Sequence, residues 1–247
     1  MAIAAAREIH DGEIVFCGTG ISLLAAMAAK CIHAPEAIIF FETGAIDPDL
    51  KEIPLTVADP RLMYGSSVNA GLGEAFATMQ NPFLGPRLVG ILGAAQVDRF
   101  GNLNSTCLGD YAKPDVRFPG SGGACDVGSF VGRTMVFIQQ ERRRFVKKLD
   151  YFTTPGYFTG PGERERHGYK HGGPACVISD KAVLRFDQET KEMYLHSCFP
   201  GTTAEDIQDS TDFPIDLSRA GELEPPTAEE LRILRREVDP QRLILDP

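Results

Sequence analysis

A chain of 247 residues is long enough to bury one large core or two small ones. Its 25 lysines and arginines against 34 aspartates and glutamates give a formal charge of −9, which argues against general affinity for nucleic acid or an anionic membrane surface but leaves room for a local basic pocket. No apolar run approaches a membrane span and the N-terminus becomes charged too soon for a signal peptide, so no membrane association is expected and a reducing cytoplasm is the expected compartment.

Residues 2–9 read as the tail of an amphipathic helix, and Asp11-Gly12 as a turn. A short strand from Glu13 to Cys17 then meets Gly18-Thr19-Gly20, and a helix follows through Leu23, Leu24, Met27 and Lys30 until Pro35. That order resembles a nucleotide-binding opening. The third glycine of a dinucleotide fingerprint and the Gly-Lys-Ser/Thr of a phosphate loop are both missing, so a tight strand-to-helix turn is the plainer reading.

Ile38-Ile39-Phe40-Phe41-Glu42-Thr43-Gly44 is the stretch around which the chain is organised. Four apolar residues running into a carboxylate predict a buried strand of an α/β sheet with Glu42 at its C-terminal end, where such sheets bind ligands. A carboxylate there can be a salt-bridge partner, a general base or a nucleophile. Gly44 allows substrate or backbone to approach closely.

Residues 47–73 form a long loop rich in Pro, Asp, Gly and Ser, a type of segment that tends to be functional. A short helix is expected over Gly71–Met79 and a buried strand over Leu88–Leu92, followed by Gly93 to Asp98 and a turn at Phe100-Gly101-Asn102. Gly120-Ser121-Gly122-Gly123-Ala124 is a glycine-rich loop without lysine. It is either a turn or a set of converging N–H groups suited to a developing oxyanion, with Gly122, Gly123 and Ala124 as candidates.

Thr134–Gln139 reads as a strand. Arg142, Arg143, Arg144, Lys147 and Lys148 follow it as the one dense basic cluster, which can be a solvated face, a subunit contact or an anion site. Leu149–Thr154 reads as a further strand and Pro155–Gly173 as a long loop. Ala175–Ser179, Ala182–Phe186 and Met193–Phe199 read as an antiparallel meander at a sheet edge. Thr203–Ser210 is a short helix. The last helix opens on the capping box Thr227-Ala228-Glu229-Glu230, presents Leu231, Leu234 and Val238 on one face, and ends at Pro240. With no repeat, linker or low-complexity tract, residues 1–247 read as a single α/β domain.

The six cysteines, at 17, 31, 107, 125, 176 and 198, lack the spacing of a zinc or redox site and are expected to be reduced and packed as small hydrophobes. The five histidines accompany no nucleophile motif, and the glycines around His167 and His171 disfavour a metal-binding helix. Neither a serine hydrolase nor a bound metal is expected.

Many segments, taken in order, resemble the β subunit of class I coenzyme A transferases, and within it the branch of the glutaconate CoA-transferase B subunits. They include Val15-Phe16-Cys17-Gly18-Thr19-Gly20, Ile39-Phe40-Phe41-Glu42-Thr43-Gly44, Gly93-Ala94-Ala95-Gln96-Val97-Asp98, Gly109-Asp110-Tyr111 and Arg117-Phe118-Pro119-Gly120-Ser121-Gly122-Gly123-Ala124. The resemblance continues through Gly160 to Arg166 and Val238-Asp239-Pro240. It implies a three-layer α/β fold, an open, mostly parallel sheet with helices on both faces and an antiparallel edge meander. It also implies a ping-pong CoA transfer with Glu42 as nucleophile and the Gly123 and Ala124 amides as oxyanion donors. Thr43, Gly44, Gln96, Gly120, Ser121 and Gly122 are the implied substrate or CoA contacts. Threonine at 43 stands where the family has serine or asparagine. No permanently bound cofactor is implied; the coenzyme A thioester is a substrate and its partner a carboxylic acid, for which the resemblance offers a glutaconate-like dicarboxylate by analogy. An α subunit of similar fold is the expected protein partner. A thioester hydrolase or decarboxylase on the same scaffold, and a non-catalytic ligand-binding chain, are the alternatives.

Overall fold

The structure, a computed structural model, describes residues 1–245. Its compact units are two: Met1–Ile91 together with the C-terminal segment from Pro226, and Leu92–Pro225. The boundary falls inside a strand, between Ile91 and Leu92, and no linker marks it in the sequence.

The first unit is α/β with a parallel centre. Strand β1 (Ile14–Cys17) lies between β2 (Ile38–Phe40) and a strand over Leu88–Gly93, parallel to both, with Ile14 opposite Ile38 and Leu88. Two short antiparallel strands, β3 (Ala45–Ile46) and β4 (Val68–Asn69), continue the sheet beyond β2. They lie in or beside the segment expected to be loop. The strand over Leu88–Gly93 is β5.

Helix α1 (Ala2–Ala6) is buried along its whole length rather than amphipathic, since alanine side chains allow close approach on every side. It packs on α2 (Ile21–Ile32), whose buried residues include Leu23, Leu24, Ala28 and Ala29. Gly20, at φ +88°, makes the tight turn into α2. Helix α3 (Leu72–Gln80) stands where expected. The C-terminal helix starts at Ala228 with the expected capping box: Thr227 Oγ1 accepts the Glu230 N–H, and Glu230 accepts the Thr227 N–H. Glu230 also pairs with Arg7 at 2.7 Å, which ties this helix to the N-terminal segment.

The second unit begins with β6 (Gln96–Val97) and β7 (Leu103–Asn104), then the antiparallel hairpin β8 (Cys107–Asp110) and β9 (Lys113–Arg117). Helix α4 (Ala124–Phe130) leads to β10 (Arg133–Phe137). The one-turn helix α5 (Glu163–Arg166) follows a long irregular stretch. Strand β11 (Pro174–Ile178) is parallel to β10 and opens the expected meander with β12 (Ala182–Phe186) and β13 (Met193–Cys198). Helix α6 (Ala204–Asp209) is capped by Thr203, and β14 (Gly221–Glu222) pairs with β13. Val136, Phe145, Val177, Leu184, Leu195 and Phe213 fill the core.

Residues 149–154 form no strand. The Thr153 and Thr154 amides both go to the Leu103 carbonyl, at 2.9 and 3.1 Å, leaving only an isolated bridge. Pro155 then has no N–H to extend a ladder. Among the described residues no helix is long and apolar enough to cross a membrane.

Candidate active site

Glu42 lies just past β2, at the apex of a hairpin rather than inside a strand. The Phe41 N–H donates to the Ala45 carbonyl at 3.0 Å and the Gly44 N–H to the Phe41 carbonyl at 2.9 Å, so Glu42, Thr43 and Gly44 form a three-residue loop between β2 and β3. Such loops close with a residue of positive φ, and Gly44 supplies it at +96°. A Cβ there would collide with the Ala70 backbone, whose N–H donates to the Gly44 carbonyl at 2.9 Å. The close approach that Gly44 permits is therefore that of backbone.

The loop holds Glu42 half-buried. Among the described residues its carboxylate takes part in no ion pair or hydrogen bond. The next residue, Thr43, has a buried hydroxyl with no partner. A free carboxylate beside an unsatisfied hydroxyl is an arrangement a substrate can complete, since a buried polar atom left unpaired costs about 1–3 kcal/mol.

The glycine loop belongs to the second unit. Gly120 and Gly122 have φ of +95° and +48°. Gly123 follows at φ −81°, ψ −3°, so residues of opposite hand succeed one another and aim consecutive N–H groups to one side. The Ala124 N–H donates to the Ser121 carbonyl at 2.8 Å and the Cys125 N–H to Ser121 Oγ at 3.1 Å, which closes the turn into α4. Within the 120–124 loop the amides free of hydrogen bonds among the described residues are those of Ser121, Gly122 and Gly123. Of the pair expected from sequence, Gly123 has a free N–H, whereas the Ala124 N–H is held by Ser121.

Gln96 is also spent internally. Its Oε1 accepts Asn104 Nδ2 at 2.7 Å and the Asp150 N–H at 3.0 Å, and its Nε2 donates to Asp150 Oδ2 at 3.3 Å. Asp150 accepts the Gly109 N–H as well, at 3.1 Å. Gln96, 5 % exposed, braces the β8–β9 hairpin through Asp150.

Sequence reasoning missed a second brace. Arg164 is 4 % exposed and has no carboxylate partner among the described residues. Its guanidinium donates to the carbonyls of Gly156 at 2.8 Å, Gly128 at 3.1 Å and His171 at 3.1 Å, and stacks on Tyr169 at 5.0 Å. Burial lowers its pKa from the usual arginine value. Gly128 lies in α4, so Arg164 anchors the helix that the glycine loop leads into. An arginine in a Gly/Pro-rich charged loop gives no sequence signal for such a role.

A cavity of about 540 Å³ opens beside the glycine loop, its wall including Gly120, Ser121, Thr106, Arg117, Tyr111 and Tyr151. The two tyrosine rings stack with centroids 5.0 Å apart, and the Arg117 guanidinium lies 4.7 Å over Tyr111. Forty residues separate the tyrosines, so no local pattern announces the platform. The basic cluster further on is partly paired: Arg142 with Asp212, and Arg143 and Arg144 both with Glu141, at 2.7–2.9 Å. That leaves Lys147 and Lys148 exposed without an ion pair among the described residues.

An α/β scaffold with a free glutamate at a hairpin apex and a glycine loop with unspent amides has the parts of an acyl-transfer enzyme. Residues 1–210 match the family model described as Coenzyme A transferase, and the chain belongs to that family. It is similar to the B subunit of glutaconate CoA-transferase from Acidaminococcus fermentans, 39 % identical over 97 % of this chain and 91 % of the relative. It is also similar to the B subunit of 3-oxoadipate CoA-transferase from Pseudomonas knackmussii, at 35 % identity over 95 % of this chain and 90 % of that one. The crystal structure of the Acidaminococcus fermentans glutaconate coenzyme A-transferase superposes with a TM-score of 0.96 at 38 % identity, covering 100 % of this chain and 95 % of that one. The α/β fold with a mostly parallel sheet is that of the solved enzyme.

Proposed function

We propose that this chain is the β subunit of a CoA transferase that moves CoA between an acyl-CoA and a short dicarboxylic acid of the glutaconate kind, working with an α subunit of similar fold. The observation that carries the reading is the Glu42 carboxylate: half-buried, fixed at a hairpin apex and tied up by no cation among the described residues. Both similar CoA-transferase chains are named as B subunits, which supports the partner, and the diacids in their names support the acid class.

In the first half-reaction a Glu42 oxygen attacks the acyl-CoA carbonyl, the C–S bond breaks, and CoA leaves as a thiolate from a mixed anhydride. The thiolate then attacks the Glu42 carbonyl of that anhydride, releasing the first acid as its carboxylate and leaving a glutamyl-CoA thioester. The second acid repeats the two steps in reverse, taking the CoA and restoring the Glu42 carboxylate. This is ping-pong covalent catalysis.

Each step passes through a tetrahedral oxyanion. Gly123 is the proposed donor, with Gly122 rather than Ala124 beside it; loss of one such donor costs on the order of a hundred- to a thousand-fold in rate. Thr43 offers its unpaired hydroxyl to the substrate. Gly44 shapes the hairpin.

The test is an assay of the purified chain with and without its partner, using acyl-CoA and an acceptor acid. Transfer is expected only from the assembled enzyme and only with glutamate at 42. Full transfer by the chain alone overturns the partner, and full transfer by a Glu42→Gln complex overturns the mechanism. CoA release without any acceptor acid marks a hydrolase instead.

A further inference from the structure

We infer that Arg117 recognises the distal carboxylate of a dicarboxylic acyl group held in the cavity beside the glycine loop. This rests on the transferase reading above and adds to it the residue that selects diacids over monoacids.

Three observations support the assignment. The first is the wall of the cavity: Tyr111, Tyr151, Phe118, Phe152 and Pro119 give it apolar faces suited to a short carbon chain, and Gly120 and Ser121 bring the proposed oxyanion loop to one side. At about 540 Å³ it lies within the usual range of small-molecule sites.

The second is the state of Arg117. Its side chain has no acid partner among the described residues, and its one side-chain hydrogen bond is from Nη2 to the Tyr111 carbonyl at 3.0 Å. That bond and the stacking on Tyr111, itself stacked on Tyr151, hold the guanidinium in place before any ligand arrives. Its remaining N–H groups are left for a planar anion, and a carboxylate matches their fork.

The third is reach and charge. Arg117 and Gly120 are three residues apart, so at most about 10 Å of chain separates them. A short diacid with its reacting carboxyl at the loop spans that gap together with the arginine side chain. The cavity wall holds a single cation, which suits one carboxylate and falls short of what a pyrophosphate needs.

Glutarate and its monoacid counterpart valerate serve as probes. Both are titrated into the full chain, alone and assembled with its partner, by calorimetry. Glutarate is expected to bind in preference to valerate. Arg117→Gln should weaken glutarate about ten- to a hundred-fold and erase the preference, and Arg117→Lys should restore part of it. In the transfer assay the glutarate-to-valerate ratio of kcat/KM should fall by the same factor in Arg117→Gln. Failure of the wild-type protein to bind glutarate in either form overturns the inference, as does a preference that survives Arg117→Gln or an equal loss for both acids. The two readings fail separately. Transfer with an acid preference independent of Arg117 sinks this site alone, whereas glutarate binding through Arg117 without any Glu42 adduct sinks the transferase reading and leaves the diacid site.

Discussion

The Ala70 N–H donates to the Gly44 carbonyl at 2.9 Å, and the Ala70 carbonyl lies where a Cβ at Gly44 would have to go. The turn that presents Glu42 is therefore set by a backbone contact with β4 and its neighbour, not by the side chains of the loop. Gly44→Ala meets two penalties at once, a positive φ and a collision. It should cost about 2–4 kcal/mol and lower activity even though no substrate contact is removed. Thermal unfolding and transfer kinetics on the same variant check this; an unchanged melting temperature contradicts it.

Arg164 makes a second prediction. Arg164→Met strands the carbonyls of Gly128, Gly156 and His171, and should destabilise the protein by about 3 kcal/mol or more. Arg164→Lys keeps the charge but loses the planar fork, so it should recover only part of the loss. Denaturant titration of both variants decides it. A lysine variant as stable as the original chain contradicts the role.

The Arg7–Glu230 pair predicts a pH dependence. Arg7 holds the Glu230 carboxyl well below its ordinary value of 4.5, at about 2. A carboxyl with a depressed folded pKa stabilises fully above its unfolded value, and that contribution is lost as pH falls from 4.5 toward 2. Arg7 is partly open to solvent, which limits the pair to about 1 kcal/mol. Glu230→Gln should thus differ from the original chain at pH 7, and the difference should shrink steadily between pH 4.5 and 2. A difference at pH 2.5 as large as at pH 7 contradicts the assignment.

Thiol labelling reports on the cavity. Cys31 and Cys125 are exposed, whereas Cys17, Cys107, Cys176 and Cys198 are buried. Burial pushes the Cys17 thiol up to about 12, so it stays protonated and inert in the folded chain. An alkylating reagent should label Cys31 and Cys125 in the native protein and all six only after unfolding. Cys125 lines the cavity, so glutarate should slow its labelling and leave that of Cys31 unchanged. Equal rates with and without glutarate contradict this.

Local periodicity and turn chemistry made much of the scaffold legible. The glycine turn between β1 and α2, the 175–199 meander and the Thr227–Glu230 capping box all carry their signals within a few residues, and all stand where expected. The position of Glu42 was legible while its setting was not. Ile38–Phe41 is apolar throughout, which points to a strand running on to Glu42, yet it ends at Phe40 because Gly44 turns the chain back. Residues 149–154 have strand-like side chains, but their amides answer to Leu103, a partner far away in sequence. Gln96 lies in a family-like segment and spends its amide on Asp150 and Asn104, which only the folded chain brings to it. The Tyr111–Tyr151 platform is hidden for the same reason.

Covalent attachment at position 42 tests the central claim most directly. The assembled enzyme is incubated with acyl-CoA, treated with hydroxylamine or borohydride, digested and analysed by mass spectrometry. The prediction is a modified Glu42 in the peptide spanning Ile38–Gly44, absent without acyl-CoA and absent from Glu42→Gln. CoA transfer proceeding at full rate with Glu42 unmodified would contradict it.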